Sequence, residues 1–230
     1  MLTTLIYDLD DTLYDEINYC KSGFRKAAEF IRQNRNCPPT IETNDIFRML
    51  WGEFTSGNTT KTFNAVLKKL EVPCDKEFIS QIVKKYRQHF PDIHLPTESR
   101  EFLENHKDKY NLALLTDGFL PAQEYKVQAL GVEQFFEEII YTEKLGREYW
   151  KPSSLGFEKI LEKSNTPPAR AAYIADNEEK DFIAPNKLGM KTIKILRKNR
   201  IHKSPPPVPQ AKAQNSVNDL AELTRLLEKI

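Results

Sequence analysis

From residue 97 onward the chain alternates helical patterns with short apolar runs, and this alternation limits the fold to very few architectures. Apolar residues recur at helical spacing in one set of segments, whereas the segments between them are compact and apolar, which is typical of buried strands. Helices that alternate with strands imply right-handed crossovers and a mainly parallel sheet covered on both faces. We therefore predict an α/β fold with a doubly wound, mainly parallel sheet. The predicted helices are 97–107, 121–130, 153–163 and 181–188, and the strands that follow them are 112–116, 138–142, 171–175 and 191–196.

A first strand precedes this alternation and is separated from it by a helical insertion. Residues 2–7 form a compact apolar run that ends in an acidic cluster, which suits a buried parallel strand. Between residues 15 and 91, four segments show helical spacing, and they are interrupted near Pro38, Gly57 and Pro73. We expect a core domain made of residues 1–14 and 92–230, and a helical domain made of residues 15–91.

Charge and hydropathy exclude several classes of protein. The 230 residues carry 34 Lys plus Arg against 33 Asp plus Glu, whereas proteins that bind nucleic acid or membrane surfaces usually show a basic excess. No apolar stretch approaches the roughly 18 residues that a membrane span needs. The three cysteines lie far apart without a C-x-x-C pair, which is typical of reduced thiols in the cytoplasm. The sequence therefore predicts a cytoplasmic protein without a nucleic-acid or membrane partner, and it leaves the oligomeric state open.

The segment 197–216 differs in composition from the rest of the chain. It holds five basic residues, no acidic ones, and four prolines between Pro205 and Pro209. We expect an extended surface connection with polyproline character, whose charges are solvated. Ser216, with Asp219 three residues later, is expected to open a last helix over 217–229 through a capping box.

Polar residues collect where the predicted strands end, which is where ligands bind in open α/β sheets. Taken singly, each has a structural explanation, because D-x-D often forms a turn and an acidic run often begins an exposed helix. Their order favours a common site, since all fall at a predicted strand end or at the helix start that follows. The candidate residues are Asp8, Asp10, Thr116, Asp117, Lys151, Asp176, Asn177 and Asp181.

Phosphoryl transfer has a use for each of these residue types. Carboxylates that converge at a sheet edge repel one another, and Mg²⁺ compensates such clusters while sharing oxygens with phosphate. A carboxylate can also attack phosphorus to form an aspartyl-phosphate, and if Asp8 does so, Asp10 is placed to protonate the leaving oxygen. Thr116 and Lys151, with the backbone amides near Asp117, can then hold the phosphoryl oxygens of the substrate.

Four short motifs spread these residues over nearly the whole chain: Asp8-Leu-Asp-Asp-Thr-Leu13, Leu115-Thr-Asp-Gly118, Lys151-Pro152 and the acidic run from Asp176 to Asp181. In these motifs the sequence resembles the haloacid dehalogenase-like (HAD) hydrolases. The resemblance implies a Rossmann-like core, and the helical insertion looks like the cap that this family carries between its first and second motifs. It also implies a Mg²⁺-dependent phosphatase that works through a phospho-aspartate on Asp8, with Asp10 as general acid and base.

The same resemblance implies a ligand set for the metal. Mg²⁺ would be held by Asp8, the backbone carbonyl of Asp10 and Asp176. Asp181 would lie in the outer shell of the metal or orient the lysine of the third motif, and Asn177 would support the site.

Two positions depart from the family's pattern. Ala175 stands where the family usually has glycine, and its methyl group crowds backbone close to the metal. Pro185 stands where a small helical residue is usual, and a proline inside a helix removes a hydrogen bond unless it lies in the first turn. Both departures put the metal affinity in doubt without removing a reactive group.

The predicted substrate is a small phosphorylated metabolite, either a sugar phosphate or a nucleotide. The dehalogenases of the family lack the second acid, because a halide leaving group needs no proton, so Asp10 favours a phosphate ester. We expect a residue from Tyr14 to Arg25 to touch the leaving group. One alternative is a phosphomutase, which passes the phosphoryl group to a sugar hydroxyl instead of water. Another is a non-catalytic binding or regulatory homologue, motivated by Ala175, Pro185 and the proline-rich segment.

Overall fold

The chain divides into two compact units, which are described separately here. The computed structural model describes residues 1–34 and 36–230. The core unit comprises Met1–Ile17 and His94–Ile230, and the helical unit comprises Asn18–Ile93.

A sheet of parallel strands forms the centre of the core unit. Its described strands are β1 Thr4–Tyr7, β2 Asn111–Thr116, β3 Glu138–Tyr141, β4 Ala171–Ala175, β5 Lys191–Ile195 and β6 Asn215–Val217. Their order is β3-β2-β1-β4-β5-β6, and every neighbouring pair runs parallel. The four residues of β1 are all buried, as expected for a central strand of a doubly wound sheet. The predicted fold class is confirmed.

The strand order reverses beside β1, and this places the candidate site. Chain connections run from β1 to β2 on one side and continue through β4 on the other, so the crevice between β1 and β4 is a topological switch point. Asp8 follows β1 directly and Asp176 follows β4 directly. The fold therefore brings the first and fourth motifs to the same edge of the sheet.

Four helices make up most of the helical unit as described. They are α1 Glu16–Arg32, which begins in the core unit, α2 Thr43–Thr55, α3 Thr62–Lys69 and α4 Lys76–Arg87. Phe24 of α1 packs its ring 5.1 Å from Tyr86 and 5.3 Å from Phe54, measured between ring centroids. A Cβ at Gly23 would lie 2.6 Å from the Tyr86 ring, so glycine allows α1 and α4 to pack this closely.

Five further helices flank the sheet in the core unit, and a buried aromatic cluster packs beneath two of them. The helices are α5 Thr97–His106, α6 Ala122–Leu130, α7 Leu155–Lys163, α8 Ile183–Leu188 and α9 Leu220–Leu227. Tyr173 of β4 packs edge-on against Phe157 of α7 at 4.8 Å and lies 6.1 Å from Phe182, which precedes α8. None of the helices within residues 1–34 and 36–230 combines the length and apolar character that crossing a bilayer requires.

The C-terminal region corrects one prediction. The expected helix over 217–229 is wrong at its start, because Asn215–Val217 forms β6 and pairs with β5. The helix begins later, where Asp219 accepts a hydrogen bond from the backbone N–H of Glu222 at 2.7 Å. Glu222 in turn accepts one from the backbone N–H of Asn218 at 2.7 Å, so the helix is capped three residues beyond the predicted cap. The polar run before Val217 concealed the strand, whose backbone groups are satisfied by the edge of β5.

Candidate active site

A buried lysine joins two of the motifs. The Nζ of Lys151 lies 2.7 Å from the Oδ1 of Asp8 and 2.7 Å from the Oδ1 of Asp181, and it donates to the hydroxyl of Tyr173 at 3.0 Å. The lysine side chain is only 1% exposed. Burial alone would lower the pKa of Lys151, but the carboxylates of Asp181 and Asp8 outweigh it and hold that pKa well above its usual value. Lys151 is therefore a permanent cation beside Asp8.

Three buried carboxylates converge next to this lysine. Ligand oxygens of Asp8, Asp176 and Asp181 all lie within 4.8 Å of one another. Burial, followed by the neighbouring Asp181, raises the pKa of Asp176 to about 9. Burial also raises the pKa of Asp8 to about 7, although Lys151 opposes the rise. Carboxylates crowded in this way favour a positive charge between them.

One of these carboxylates has an oxygen that lacks a partner. The Oδ2 of Asp176 is buried and accepts no hydrogen bond from the residues that the structure describes. Buried polar atoms are almost always satisfied, so an orphaned carboxylate oxygen indicates a ligand position. The donor set, made of hard oxygens, suits a hard divalent cation such as Mg²⁺. The residues present thus fit the predicted metal.

Asp10 lies beside the trio, and its carboxylate is held by other residues. Both of its carboxylate oxygens lie 2.8 Å from the Nζ of Lys126, and Oδ2 accepts from Gln123 at 2.9 Å. The hydroxyl of Tyr14 donates to Oδ1 at 2.5 Å. Burial raises the pKa of Asp10, but Lys126 and these hydrogen bonds lower it below its usual range. The side chain of Asp10 is therefore held in place by two residues of α6 and by Tyr14.

The second motif sits at the end of β2. The hydroxyl of Thr116 accepts a hydrogen bond from Gln123 at 2.6 Å, so one amide connects the predicted phosphate-binding hydroxyl with Asp10. Gly118 has a φ of +144°, and a Cβ there would lie 2.9 Å from Gln123. Glycine is therefore required at this position for the loop to pass close to α6.

The side chain of Asp117 is occupied by protein groups. Its Oδ1 accepts from the Thr142 hydroxyl at 2.8 Å and from the backbone N–H of Lys151 at 3.2 Å, and its Oδ2 lies 3.3 Å from the Nζ of Lys180. Burial raises the pKa of Asp117, whereas Lys151 and Lys180 lower it below its usual range. An ionised side chain in this position fixes the loop that carries Lys151. The predicted contact of Asp117 with phosphate is thus left to its backbone.

The fourth motif supplies a support for Lys151. Asp181 is fully buried, and its Oδ2 accepts the backbone N–H of Asn177 at 3.0 Å, while its Oδ1 faces Lys151. The side chain of Asn177 accepts the backbone N–H of Glu179 at 2.9 Å, which closes the turn after Asp176. Asp181 contributes to the carboxylate trio and also orients the lysine.

Both departures from the family's pattern are accommodated. Ala175 ends β4 with its side chain fully buried, in register with Lys194 of β5. Pro185 is the third residue of α8, so it lies in the first turn, where a missing N–H removes no helical hydrogen bond.

Several residues of the site are not apparent from the sequence pattern. Gln123 and Lys126 are 2% and 3% exposed although both are polar and belong to a helix that covers the sheet. Their spacing of three places them on the same face of α6, directly after the second motif, but the sequence alone does not show which way that face is turned. A cavity of about 80 Å³ opens beside Asp8, and its lining residues are Asp8, Asp10, Glu16, Asp117, Asp176, Asn177, Lys180 and His202.

The beginning of the basic segment also belongs to this region, contrary to the prediction of a solvated connection. Arg197 is 9% exposed, and its Nε donates to Asp15 at 2.8 Å. The backbone N–H of Ile201 donates to the Oδ2 of Asp11 at 2.6 Å. The acidic loop after β1 holds this part of the segment, because Asp15 pairs with Arg197 and Asp11 accepts the backbone N–H of Ile201.

The fold and the site together define an α/β enzyme whose switch point carries converging carboxylates and a buried lysine. Residues 5–195 match the sequence profile of the haloacid dehalogenase-like hydrolases. The chain belongs to this family, and the predicted resemblance is confirmed.

Two relatives and one solved structure illustrate the similarity. The glyceraldehyde 3-phosphate phosphatase of Methanopyrus kandleri is 24% identical over 207 residues, which cover 86% of this chain and 85% of the relative. The enzyme of the same name from Methanothermobacter thermautotrophicus is 26% identical, over 85% of this chain and 86% of the relative. The HAD-hydrolase YfnB of Bacillus subtilis, solved bound to magnesium, superposes with a TM-score of 0.66 at 20% identity, over 98% of each chain.

Proposed function

We propose that this chain is a Mg²⁺-dependent phosphomonoesterase that hydrolyses a small sugar phosphate through an aspartyl-phosphate on Asp8. The observation that carries the proposal is the position of Lys151, a buried cation 2.7 Å from Asp8, beside an unsatisfied oxygen of Asp176. Such a pair of positive positions, one filled by lysine and one suited to a metal, neutralises both the nucleophile and a phosphoryl group. The names of the two archaeal relatives support a sugar phosphate rather than a nucleotide.

The reaction divides into two displacements at phosphorus. A carboxylate oxygen of Asp8 forms a bond to phosphorus while the bond to the leaving oxygen breaks, and the leaving oxygen takes a proton from Asp10. Water then attacks phosphorus, gives its proton to Asp10, and frees the carboxylate of Asp8 with release of phosphate. Thr116 and Lys151 hold the phosphoryl oxygens through both steps.

The surroundings of Asp10 suit both of its roles. Without substrate, Lys126 favours the ionised carboxylate, which is the form that accepts a proton from water. A phosphate dianion that enters the cavity adds negative charge beside Asp10, and a nearby like charge favours the protonated form. Gln123 and Tyr14 keep the carboxyl group in place while its charge changes.

The metal would be held by Asp8, Asp176 and the backbone carbonyl of Asp10. When bound, Mg²⁺ supplies positive charge that polarises the phosphoryl group. The side chain of Asp181 already serves Lys151, so we assign it the supporting role.

We also propose that the helical unit acts as the cap and contributes to the choice of substrate. Caps of this kind exclude water and contact the part of the substrate that leaves. The cytoplasmic location stays a prediction from the sequence.

The proposal is tested by the release of phosphate from p-nitrophenyl phosphate. We expect turnover with Mg²⁺ and none with EDTA, and Asp8→Asn should abolish it, because an amide is not a nucleophile at phosphorus. Asp108→Asn makes the same chemical change at an exposed position of the core unit and should retain the native rate. Turnover by Asp8→Asn would contradict the nucleophile assignment.

A second arm of the experiment separates hydrolysis from the alternatives. A hexose 1-phosphate that is converted to the 6-phosphate without free phosphate would identify a mutase instead. Absence of both reactions, with Mg²⁺ bound, would identify a non-catalytic homologue.

A further inference from the structure

His202 reaches the candidate active site from the segment after β5, a part of the chain that the proposed mechanism does not use. Its side chain lines the same cavity as Asp8 and Asp10. The backbone next to it is fixed, since the N–H of Ile201 donates to Asp11 at 2.6 Å. Arg197, at the start of the segment, is held by Asp15 at 2.8 Å and by Glu98 at 3.1 Å. The position of His202 is therefore built by several contacts to the loop after β1.

Glu16 faces His202 across the cavity wall. It is the first residue of α1, and its backbone N–H donates to the Oδ1 of Asp11 at 2.9 Å. Asp11 thus joins the two segments, because its other oxygen accepts the backbone N–H of Ile201, the residue before His202. The Oε2 of Glu16 lies 4.0 Å from the Nε2 of His202, and the two side chains are 20% and 45% exposed.

The separation of these two groups suits a ligand hydroxyl. A distance of 4.0 Å exceeds that of a hydrogen bond, which spans about 2.7–3.2 Å between heavy atoms. A hydroxyl oxygen placed between the two can accept a hydrogen bond from the imidazole and donate one to the carboxylate. Both partners then gain a bond that they cannot form with each other at this distance.

The charge of the lining restricts what else the leaving group carries. Five of the lining residues have carboxylates, namely Asp8, Asp10, Glu16, Asp117 and Asp176, while the lysine that lines the cavity, Lys180, is paired with Asp117. The lysines beside the other carboxylates are also paired, Lys126 with Asp10 at 2.8 Å and with Glu16 at 3.6 Å, and Lys151 with Asp8 at 2.7 Å. A second anionic group on the substrate would therefore meet carboxylates whose lysine partners are already engaged, which disfavours its binding.

We propose that Glu16 and His202 bind a hydroxyl group of the leaving group, so that the enzyme selects phosphomonoesters of neutral polyhydroxylated compounds over those with a second anionic group. This inference rests on the proposed function and specifies its substrate class. It also assigns to the core unit a share in recognising the part of the substrate that leaves.

The first test compares two substrates that differ in charge at one carbon. Glycerol 1-phosphate and 3-phosphoglycerate share a three-carbon chain, a phosphate and a hydroxyl, but the second carries a carboxylate. We expect kcat/KM to be at least about tenfold higher for glycerol 1-phosphate, a factor that one unfavourable charge contact accounts for. Glu16→Gln removes one carboxylate from the lining and should narrow this difference several-fold. Equal kcat/KM values for the two substrates in the native protein would overturn the proposal.

The second test addresses His202 itself. In His202→Ala, KM for glycerol 1-phosphate should rise about tenfold while kcat changes less, because the hydrogen bond to the hydroxyl is present before the reaction. His202→Gln should recover most of the lost affinity, since its amide can donate a hydrogen bond. Lys203→Ala removes a neighbouring exposed residue and serves as the matched control, with native KM expected.

The outcomes separate this inference from the proposed function. Native KM in His202→Ala, with turnover intact, would overturn the role of His202 while the phosphatase proposal stands. Loss of affinity that His202→Gln fails to recover would indicate a structural role and would also overturn the inference. If the native protein releases phosphate from neither substrate nor from p-nitrophenyl phosphate, the proposed function fails first.

Discussion

At the scale of single residues, the candidate site depends on charges that compensate one another away from water. Lys151 and Asp181 are nearly inaccessible, at 1% and 0% exposed side chain, and each would be costly to bury alone. Their mutual contact at 2.7 Å makes the burial tolerable and fixes the lysine next to Asp8. The same arrangement makes the site sensitive to the loss of either partner.

The lysine can be removed without much change in volume. Lys151→Met keeps a long unbranched side chain but leaves Asp181 buried without its cation. We expect the free energy of unfolding to fall by about 3 kcal/mol, as for other broken buried ion pairs, together with loss of phosphate release. Urea unfolding in EDTA measures the change in unfolding free energy. Lys107→Met, at an exposed lysine, is the matched control. Equal stability of the two variants would contradict the buried pair.

The motif residues are predictable from the sequence, whereas their supporting residues are not. Asp8, Thr116 and Asp176 each follow or end an apolar run, and parallel strands bring such positions together. Gln123 and Lys126 lie in a helix whose polar residues look like a solvated face. Only the fold shows that this face is turned toward Asp10, 2.8 Å from Lys126.

At the scale of secondary structure elements, the sequence predicts those whose patterns are apolar and misplaces those whose patterns are polar. The central strands are confirmed, because a buried parallel strand is apolar on both faces. β6 is missed because Asn215 and Ser216 carry no such pattern, and the helix that follows is placed too early. Edge strands need only one paired neighbour, so their composition constrains them less.

The start of α9 provides a direct comparison of the predicted and observed caps. Asp219→Ala removes the side chain that accepts the backbone N–H of Glu222, and we expect a loss of about 1 kcal/mol in unfolding free energy. Ser216→Ala, at the cap predicted from the sequence, should cost less than about 0.5 kcal/mol because Ser216 lies in an exposed strand position. Chemical denaturation measures the unfolding free energy of both variants. The opposite order of effects would contradict the observed helix start.

The last turn of α5 contains a histidine whose burial affects stability against pH. His106 stacks on Phe102 at 4.1 Å and its Nδ1 lies 2.7 Å from the Phe102 carbonyl oxygen. Burial lowers the pKa of His106 below its usual value of about 6.5. The folded state thus binds fewer protons at His106 than the unfolded state does. The stabilisation that the neutral imidazole gives the folded state is therefore fully present above about pH 6.5, and it is lost as pH falls toward the pKa of His106 in the folded state.

Substitution isolates this contribution from that of the buried carboxylates. The difference in unfolding free energy between the native protein and His106→Gln should shrink between pH 7.5 and pH 5, because only the native protein must exclude a proton there. Asn105→Gln, at an exposed residue of the same helix that carries no titratable group, should show a constant difference from the native protein. A difference that stays constant for His106→Gln as well would contradict a buried neutral imidazole.

At the scale of the whole molecule, a formal net charge of +1 conceals strongly opposed local charges. Carboxylates collect at the switch point of the sheet, where Asp8, Asp176 and Asp181 meet, and Arg197, the first basic residue after β5, pairs with Asp15 in the loop beside them. The net charge gives no sign of a large polyanionic partner, and it carries no information about a small phosphorylated one. Such a site is recognisable only when the fold brings the motifs together.

The carboxylates also predict how the whole molecule responds to metal. Because Mg²⁺ would bind the folded chain and not the unfolded one, Tm should rise with Mg²⁺ concentration. Asp176→Asn removes a carboxylate oxygen from the trio and should abolish this rise. It should not greatly lower Tm in EDTA, because the pKa of Asp176 is raised to about 9, so that at neutral pH without metal the amide replaces a carboxyl group that is already protonated. Calorimetry with and without Mg²⁺ measures the effect. An unchanged metal-dependent rise in Asp176→Asn would place the metal elsewhere.

The central claim is that the carboxylate of Asp8 carries the phosphoryl group during turnover, and it can be tested on the enzyme itself. The protein is mixed with substrate and Mg²⁺, quenched in acid during turnover, and digested for mass spectrometry. We predict the added mass of one phosphoryl group on the peptide that contains Asp8, and no such addition in Asp8→Asn. A phosphoryl group found on any other residue during turnover would contradict the account, as would active enzyme that never carries one.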